Sequence, residues 1–131
     1  MDRLGWVCLG SALGGGARYL LAIAALRWLG ASFPYGTLAA NVIGSYLISL
    51  IMHVALATTL VSPSLRLFLT TGVMGGLTTY STFNYDTLGY ATAGDWPRAA
   101  LNLGVTVVVC LAAGLLGLAS GRVLVASLSG E

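Results

Sequence analysis

Four long apolar segments fill most of the chain, and short polar turns separate them. The segments cover residues 4–29, 35–61, 64–93 and 97–125. A membrane-spanning helix needs about 20 consecutive, predominantly apolar residues. The pattern therefore predicts an all-α integral membrane protein with four transmembrane helices in a single domain, residues 1–131.

The third apolar segment is unusually polar near its middle. Residues 75–83 read GGLTTYSTF, and Asp86 follows three residues later. Lipid offers no hydrogen bonds, so polar or irregular backbone at this depth is tolerated only where it is buried in protein or lines a water-filled path. We expect the glycines to weaken the helix and to break it near residues 75–79. Freed carbonyls would suit a cation, whereas freed amides and hydroxyls would suit an anion.

Two other segments carry polar side chains at every fourth position. Four residues turn an α-helix by about 400°, so neighbours in such a series share one face. The series are Thr37, Asn41 and Ser45 in the second segment and Asn102, Thr106 and Cys110 in the fourth. Asn41 stands out because its amide offers two donors and an acceptor. We interpret both stripes as the lining of a pathway; for Asn41, an interhelical hydrogen bond is the alternative.

The remaining candidates lie in the first and third segments. Arg18 is about 16 Å from the nearer end of its segment, and a membrane-buried arginine costs at least roughly 2.5–3.5 kcal/mol. It is a candidate for the pathway or its support, with carbonyl capping or snorkelling as the alternative. Tyr80 and Phe83 share a helix face beside the expected break, although ordinary core packing is the alternative for both. Ser81 and Thr82 add hydroxyl donors between them.

Composition excludes a water-facing domain. Hydrophobic residues make up 57% and charged residues 8% of the chain, whereas a soluble domain carries about 25% charge. The net charge of +2 comes from six arginines without lysine, which is too little for nucleic-acid binding.

The sequence offers no nucleophile–base pair, histidine–cysteine cluster or phosphate-binding loop, so we expect no enzyme. Amide and hydroxyl donors with polarised ring edges indicate a path for a small hydrated anion, because donors replace its water shell.

The arginines that flank the segments give almost no preferred orientation in the membrane. With four crossings, three lie on one side and two on the other. They are Arg3, Arg66 and Arg122 against Arg27 and Arg98. One explanation is insertion in both orientations, which would permit an antiparallel, two-fold homodimer. Four thin, glycine-rich helices also cannot easily enclose a pore alone, which favours a dimer on packing grounds.

Three blocks of sequence resemble the Fluc/CrcB family of small fluoride channels. They are Arg18-Tyr19 after a glycine-rich start, GTLAAN at residues 36–41, and GGLTTYSTF at residues 75–83. The resemblance covers essentially the whole chain. It implies a dual-topology, antiparallel homodimer with two pores that exports fluoride passively across the lipid bilayer of a bacterial cell (plasma or inner) membrane. It also implies a central sodium ion, Na+, held on the dimer axis by backbone carbonyls of Gly75 and Thr78.

The resemblance also assigns roles within the expected pathway. Asn41 would be the pore asparagine, Tyr80 and Phe83 the pore-facing aromatics, and the Asn102 stripe the lining from the fourth helix. The chain departs from the family's usual pattern because Tyr80 stands in place of phenylalanine and Asp86 in place of glutamate. Two rival functions stay open. One is a small proton-coupled anion exporter with Asp86 as proton carrier, and the other is a non-transporting packing subunit of a membrane complex.

Overall fold

The structure, a computed structural model, describes residues 2–130 and consists of helices joined by short turns. They are α1 (Arg3–Leu29), α2 (Tyr35–Ala57), α3 (Pro63–Leu67), a π-helical segment (Phe68–Met74), α4 (Gly75–Leu77), α5 (Tyr80–Thr92) and α6 (Trp96–Ser129). Residues 2–130 contain no strand, which confirms the predicted all-α class.

Three helices, α1, α2 and α6, are each long and apolar enough to cross a membrane. The third apolar segment is divided among α3, the π-helical segment, α4 and α5. Its helix stops after Leu77 and restarts at Tyr80, so the interruption at Thr78 and Thr79 lies inside the range expected from the glycines. The four apolar segments therefore form four helical columns, the third of which is interrupted.

Two helix ends differ from the bounds expected from the sequence. α2 ends at Ala57 rather than at residue 61, because Thr58 is extended with φ −136° and ψ 169°. The Thr58 hydroxyl donates to the Val54 carbonyl at 2.8 Å, which closes the last turn. α6 continues past residue 125 to Ser129, and it ends where Gly130 adopts a left-handed conformation that favours glycine.

Glycines bring α1 close to the third column. A Cβ atom on Gly14 would overlap the backbone of Val73, and a Cβ atom on Gly76 would lie 2.5 Å from the Ser11 carbonyl oxygen. Such close approach of backbones is typical of small residues in membrane helices. The Ser11 hydroxyl also donates to the Gly72 carbonyl at 3.5 Å. α1 therefore supports the column on the N-terminal side of its interruption.

α2 and α6 pack along each other in a similar way. A Cβ atom on Gly117 would overlap the carbonyl group of Tyr46, and Gly121 lies against the ring of His53. The Tyr46 hydroxyl donates to the Ser120 hydroxyl at 3.1 Å. α5 also packs on α6 and contacts α2, so the helix that follows the interruption lies beside both of them.

Candidate ion pathway at the helix break

Thr78 and Thr79 interrupt the third column in extended conformations. Their backbone angles are φ −77°, ψ 153° and φ −152°, ψ 108°. In a continuous helix the Thr79 N–H would donate to the Gly75 carbonyl, but here it donates to the side chain of Asn41. The end of a helix leaves its last four carbonyls without intrahelical donors. The carbonyl groups at residues 75–78 are therefore candidate ligands.

Asn41 on α2 forms two hydrogen bonds with the backbone of Thr79. The Thr79 N–H donates to Asn41 Oδ1 at 2.7 Å, and Asn41 Nδ2 donates to the Thr79 carbonyl at 3.1 Å. Thr79 is 7% exposed, and a buried polar group without a partner costs about 1–3 kcal/mol. The amide of Asn41 therefore satisfies the interrupted backbone and retains a second N–H that it can donate.

The Thr79 side chain caps α5. Its hydroxyl oxygen accepts from the Thr82 N–H at 3.2 Å, and the same hydroxyl donates to Thr82 Oγ1 at 2.9 Å. The Ser81 hydroxyl lies 3.3 Å away, so both predicted hydroxyl donors are tied to the interruption. Sequence reasoning did not select Thr79 as a site residue. The sequence feature that could have identified Thr79 is the preference for threonine at the N-cap of a helix, here just after the glycine-weakened turn.

An open groove of about 490 Å³ lies beside the interruption, between α2, α5 and α6. We name it the break groove. Its polar and aromatic lining consists of Asn41, Ser45, Thr78, Tyr80, Phe83, Thr106 and Cys110. The ring centroids of Tyr80 and Phe83 are 5.7 Å apart and their planes are tilted by 60°. The groove thus brings predicted pathway residues from three helices to one place, with an amide, hydroxyls and two tilted rings.

A second groove of about 300 Å³ lies between the end of α1, the start of α2 and α5. Its polar lining includes Thr37, Thr82, Asp86 and Tyr90. The Thr37 hydroxyl donates to Asp86 Oδ2 at 3.2 Å. Because Thr37 precedes Asn41 by about one helical turn, the second groove lies about one turn before the break groove along α2. The polar groups form a track beside the interrupted column rather than one enclosed chamber.

Three predicted pathway residues, Asn102, Arg18 and Ser81, line neither groove. Asn102 is 1% exposed; its Nδ2 donates to Thr87 Oγ1 at 2.8 Å, and the Thr87 hydroxyl donates to the Phe83 carbonyl at 2.8 Å. Asn102 therefore fixes the turn of α5 that carries Phe83. Arg18 is half-buried on α1 and forms no ion pair within residues 2–130. Thr87 was not among the site residues predicted from the sequence, although it follows Phe83 by four residues and therefore lies on the same face of the helix.

Gly75 and Thr78 are the residues expected to bind sodium. Gly75 begins the short helix α4, and Thr78 is the first residue of the interruption. Gly75 is exposed, and a Cβ atom there would have only the Thr70 carbonyl oxygen within 4.0 Å. Among residues 2–130, no three His, Cys, Asp or Glu side chains form a metal-binding cluster. Backbone carbonyls are therefore the donors that the interruption offers, and carbonyls can replace the water shell of an alkali cation.

The geometry defines a class of protein. Four apolar helical columns, one of them interrupted, carry a track of amide, hydroxyl and aromatic groups, as expected of a membrane protein that conducts ions or small solutes. The family described as "CrcB-like protein, Camphor Resistance (CrcB)" matches residues 5–118. The chain belongs to this family, which confirms the resemblance found in its sequence.

Similar proteins cover most of the chain. One from Sorangium cellulosum (strain So ce56) is 50% identical over 126 residues, which is 96% of this chain and 99% of the relative. One from Anaeromyxobacter dehalogenans (strain 2CP-1) is 56% identical over 113 residues, or 86% and 90% of the two chains. One from Clostridium perfringens (strain 13) is 46% identical over 106 residues, or 78% and 83%. Each is named fluoride-specific ion channel FluC.

Proposed function

We propose that this protein is a fluoride-selective ion channel that exports fluoride passively across a bacterial cell (plasma or inner) membrane. The observation that carries the proposal is the break groove, where Asn41, Phe83 and Thr106 meet beside an interrupted helix. Membership of the CrcB family supports it. Relatives that are 50% and 56% identical and named as fluoride-specific channels suggest the ion.

The lining of the break groove can replace the water shell of fluoride with several neutral hydrogen-bond donors and polarised ring edges. Asn41 has an N–H to spare, Thr106 and Ser45 offer hydroxyls, and aromatic ring edges are positively polarised. Conduction requires an ion to bind well enough to enter and weakly enough to leave. Neutral donors meet this requirement better than a fixed positive charge inside the groove. Arg18, outside both grooves, would add a positive potential that attracts anions.

A second copy of the chain would complete the pathway. The break groove is open in the single chain, and Tyr80 and Tyr85 are each 77% exposed. Polar groups at membrane depth are tolerated when protein or water covers them. An antiparallel second copy would cover the groove and create two pores per dimer. Na+ bound by the Gly75 and Thr78 carbonyls of both copies would then stabilise the dimer axis.

Fluoride efflux from liposomes that contain the purified protein tests the channel. In liposomes loaded with potassium fluoride, valinomycin should accelerate efflux, because a passive channel moves charge that potassium must compensate. Chloride should pass far more slowly. If valinomycin has no effect, or if chloride flux is comparable, the proposal is wrong. Proton flux that accompanies fluoride and disappears in Asp86→Asn would instead favour the proton-coupled exporter.

Phe83→Ile in the same assay tests the assigned pathway. The substitution removes a ring edge from the break groove, and we expect efflux to fall at least about tenfold, which corresponds to about 1.4 kcal/mol in the barrier. Phe68→Ile is the matched control, because Phe68 packs against Trp6 with ring centroids 5.9 Å apart, away from both grooves. The control should retain wild-type efflux. Wild-type rates in Phe83→Ile would contradict the assignment.

A further inference from the structure

A third groove lies where α1 begins, α2 ends and α3 begins. It has a volume of about 590 Å³ and shares no lining residue with the break groove or the second groove. Arg3, Arg66, Ser64, Thr71, Met52 and Leu56 are among the residues that line it. We name it the basic groove. The pathway described above does not use it.

The basic groove contains two arginines and no acidic residue in its lining. Arg3 is exposed and Arg66 is half-buried, and the ion pair formed within residues 2–130 lies elsewhere, between Arg98 and Asp95. Two guanidinium groups without an acidic partner attract anions. Guanidinium groups also bind phosphate oxygens with two parallel hydrogen bonds. The charges therefore favour a ligand that carries a phosphate group.

The position and the walls of the basic groove restrict this ligand further. Arg3 begins α1 and α2 ends at Ala57, so the groove lies at an end of the apolar columns, at the level where lipid headgroups meet water. Met52 and Leu56 provide an apolar wall, and Ser64 and Thr71 provide exposed hydroxyls. Polar donors next to an apolar wall match a molecule with a phosphate head and a hydrocarbon chain.

We propose that the basic groove binds the headgroup phosphate of an anionic phospholipid between Arg3 and Arg66. Basic pockets between membrane helices bind such headgroups in this way. The acyl chain lies along the wall formed by Met52 and Leu56, toward the bilayer core. Inorganic phosphate would use the same guanidinium groups but would gain nothing from the apolar wall.

Native mass spectrometry of the detergent-solubilised protein tests this site. Phosphatidylglycerol and phosphatidylcholine with identical acyl chains are added separately, and phosphatidylglycerol should bind more tightly. Arg3→Gln and Arg66→Gln should each lower its affinity about fivefold, the factor that corresponds to about 1 kcal/mol for one basic residue near an anionic lipid. Arg122→Gln is the matched control, because this exposed arginine on α6 lies outside the groove. Fluoride efflux from phosphatidylcholine liposomes reports whether each variant is folded.

Three outcomes of this experiment would contradict the lipid site. Equal binding of the two lipids, or unchanged phosphatidylglycerol affinity in the variant that carries both substitutions, would overturn the proposal. Inorganic phosphate that binds as tightly as phosphatidylglycerol would identify a site for free anions instead. Absence of any bound phosphatidylglycerol on the wild-type dimer would mean that a second copy of the chain covers the groove.

Discussion

Asn41 joins two parts of the chain that are far apart in sequence. It lies 38 residues before Thr79, and the two hydrogen bonds between them connect α2 to the interrupted column. The sequence left open whether Asn41 lines a pathway or forms an interhelical hydrogen bond. In the structure it lines the break groove and makes the interhelical bonds with the same amide. A substitution at Asn41 therefore changes the lining of the groove and the support of the Thr79 backbone together.

A graded pair of substitutions at Asn41 tests its role in holding the backbone. Asn41→Asp keeps an acceptor for the Thr79 N–H but loses the donor to the Thr79 carbonyl, whereas Asn41→Ala loses both. We expect Asn41→Ala to destabilise the protein by about 1–3 kcal/mol, the cost of unsatisfied buried polar groups. The midpoint of thermal unfolding in detergent measures this effect. Fluoride efflux should fall sharply in both variants.

Ser45→Ala is the control for the Asn41 variants. Ser45 lies one turn further along α2 and lines the same groove, but no hydrogen bond connects its side chain to the Thr79 backbone within residues 2–130. The thermal unfolding midpoint of Ser45→Ala should stay near that of the wild type. If Asn41→Ala unfolds at the wild-type temperature, Asn41 does not hold the interruption.

Tyr80 is one of the residues at which the chain departs from the pattern that it resembles. Tyr80 is 77% exposed, whereas Phe83 beside it is 6% exposed. Tyr80 therefore keeps a polarised ring edge at the groove and adds a hydroxyl that phenylalanine lacks. The hydroxyl can donate to an ion, and its bulk can also narrow the path.

Among the elements, the interruption could be predicted from sequence, but the structure around it could not. Glycine is a poor helix former, and Gly75 and Gly76 therefore pointed to the correct region. Thr78 and Thr79 are the residues that leave the helix, because the partner that satisfies Thr79 comes from α2. The π-helical segment at Phe68–Met74 also has no simple sequence signal. Its packing against α1 depends on contacts between residues distant in sequence, such as Gly10 with Gly72.

Adjacent glycines on α1 allow a direct test of this packing. A Cβ atom on Gly14 would overlap the backbone of Val73, whereas a Cβ atom on Gly15 would have no neighbour within 4 Å in the chain. We expect Gly14→Ala to destabilise the protein by about 1–3 kcal/mol, because the helices must move apart. Gly15→Ala should retain wild-type stability. Thermal unfolding in detergent compares them, and equal midpoints would contradict the close packing of α1 on the third column.

At the scale of the whole molecule, part of the surface beside the interruption is uncovered. Residues near the interruption, such as Gly75 and Tyr80, are exposed. The apolar segments predicted the number of columns, since hydrophobic length is a property of each segment alone. What covers an exposed polar surface is a property of two molecules and cannot be read from one segment. The sequence therefore supported a dimer only through the weak bias of arginines between the two membrane sides and through its narrow, glycine-rich helices.

Cysteine cross-linking tests the antiparallel dimer at Gly75. The background variant carries Cys8→Ser and Cys110→Ser, which removes both native thiols. In an antiparallel dimer with Gly75 at the axis, the two copies of Gly75→Cys face each other and should form a disulfide under mild oxidation. A side chain at this position meets nothing closer than 4.0 Å within its own chain. A disulfide requires Cα atoms about 4.4–6.8 Å apart, so the covalent dimer seen on a denaturing gel reports close approach.

Gly89→Cys distinguishes the antiparallel arrangement from a parallel one. Gly89 has no neighbour within 4 Å in its own chain, and it lies on α5 nine residues after Tyr80, roughly 14 Å further along the helix axis. In an antiparallel dimer the two copies of Gly89 lie on opposite sides of the membrane midplane and cannot cross-link. A parallel dimer would place both at the same depth. Cross-linking at Gly75 without cross-linking at Gly89 therefore supports the inverted dimer. Failure at Gly75 in a protein that migrates as a dimer on a sizing column would contradict an axis at the helix break.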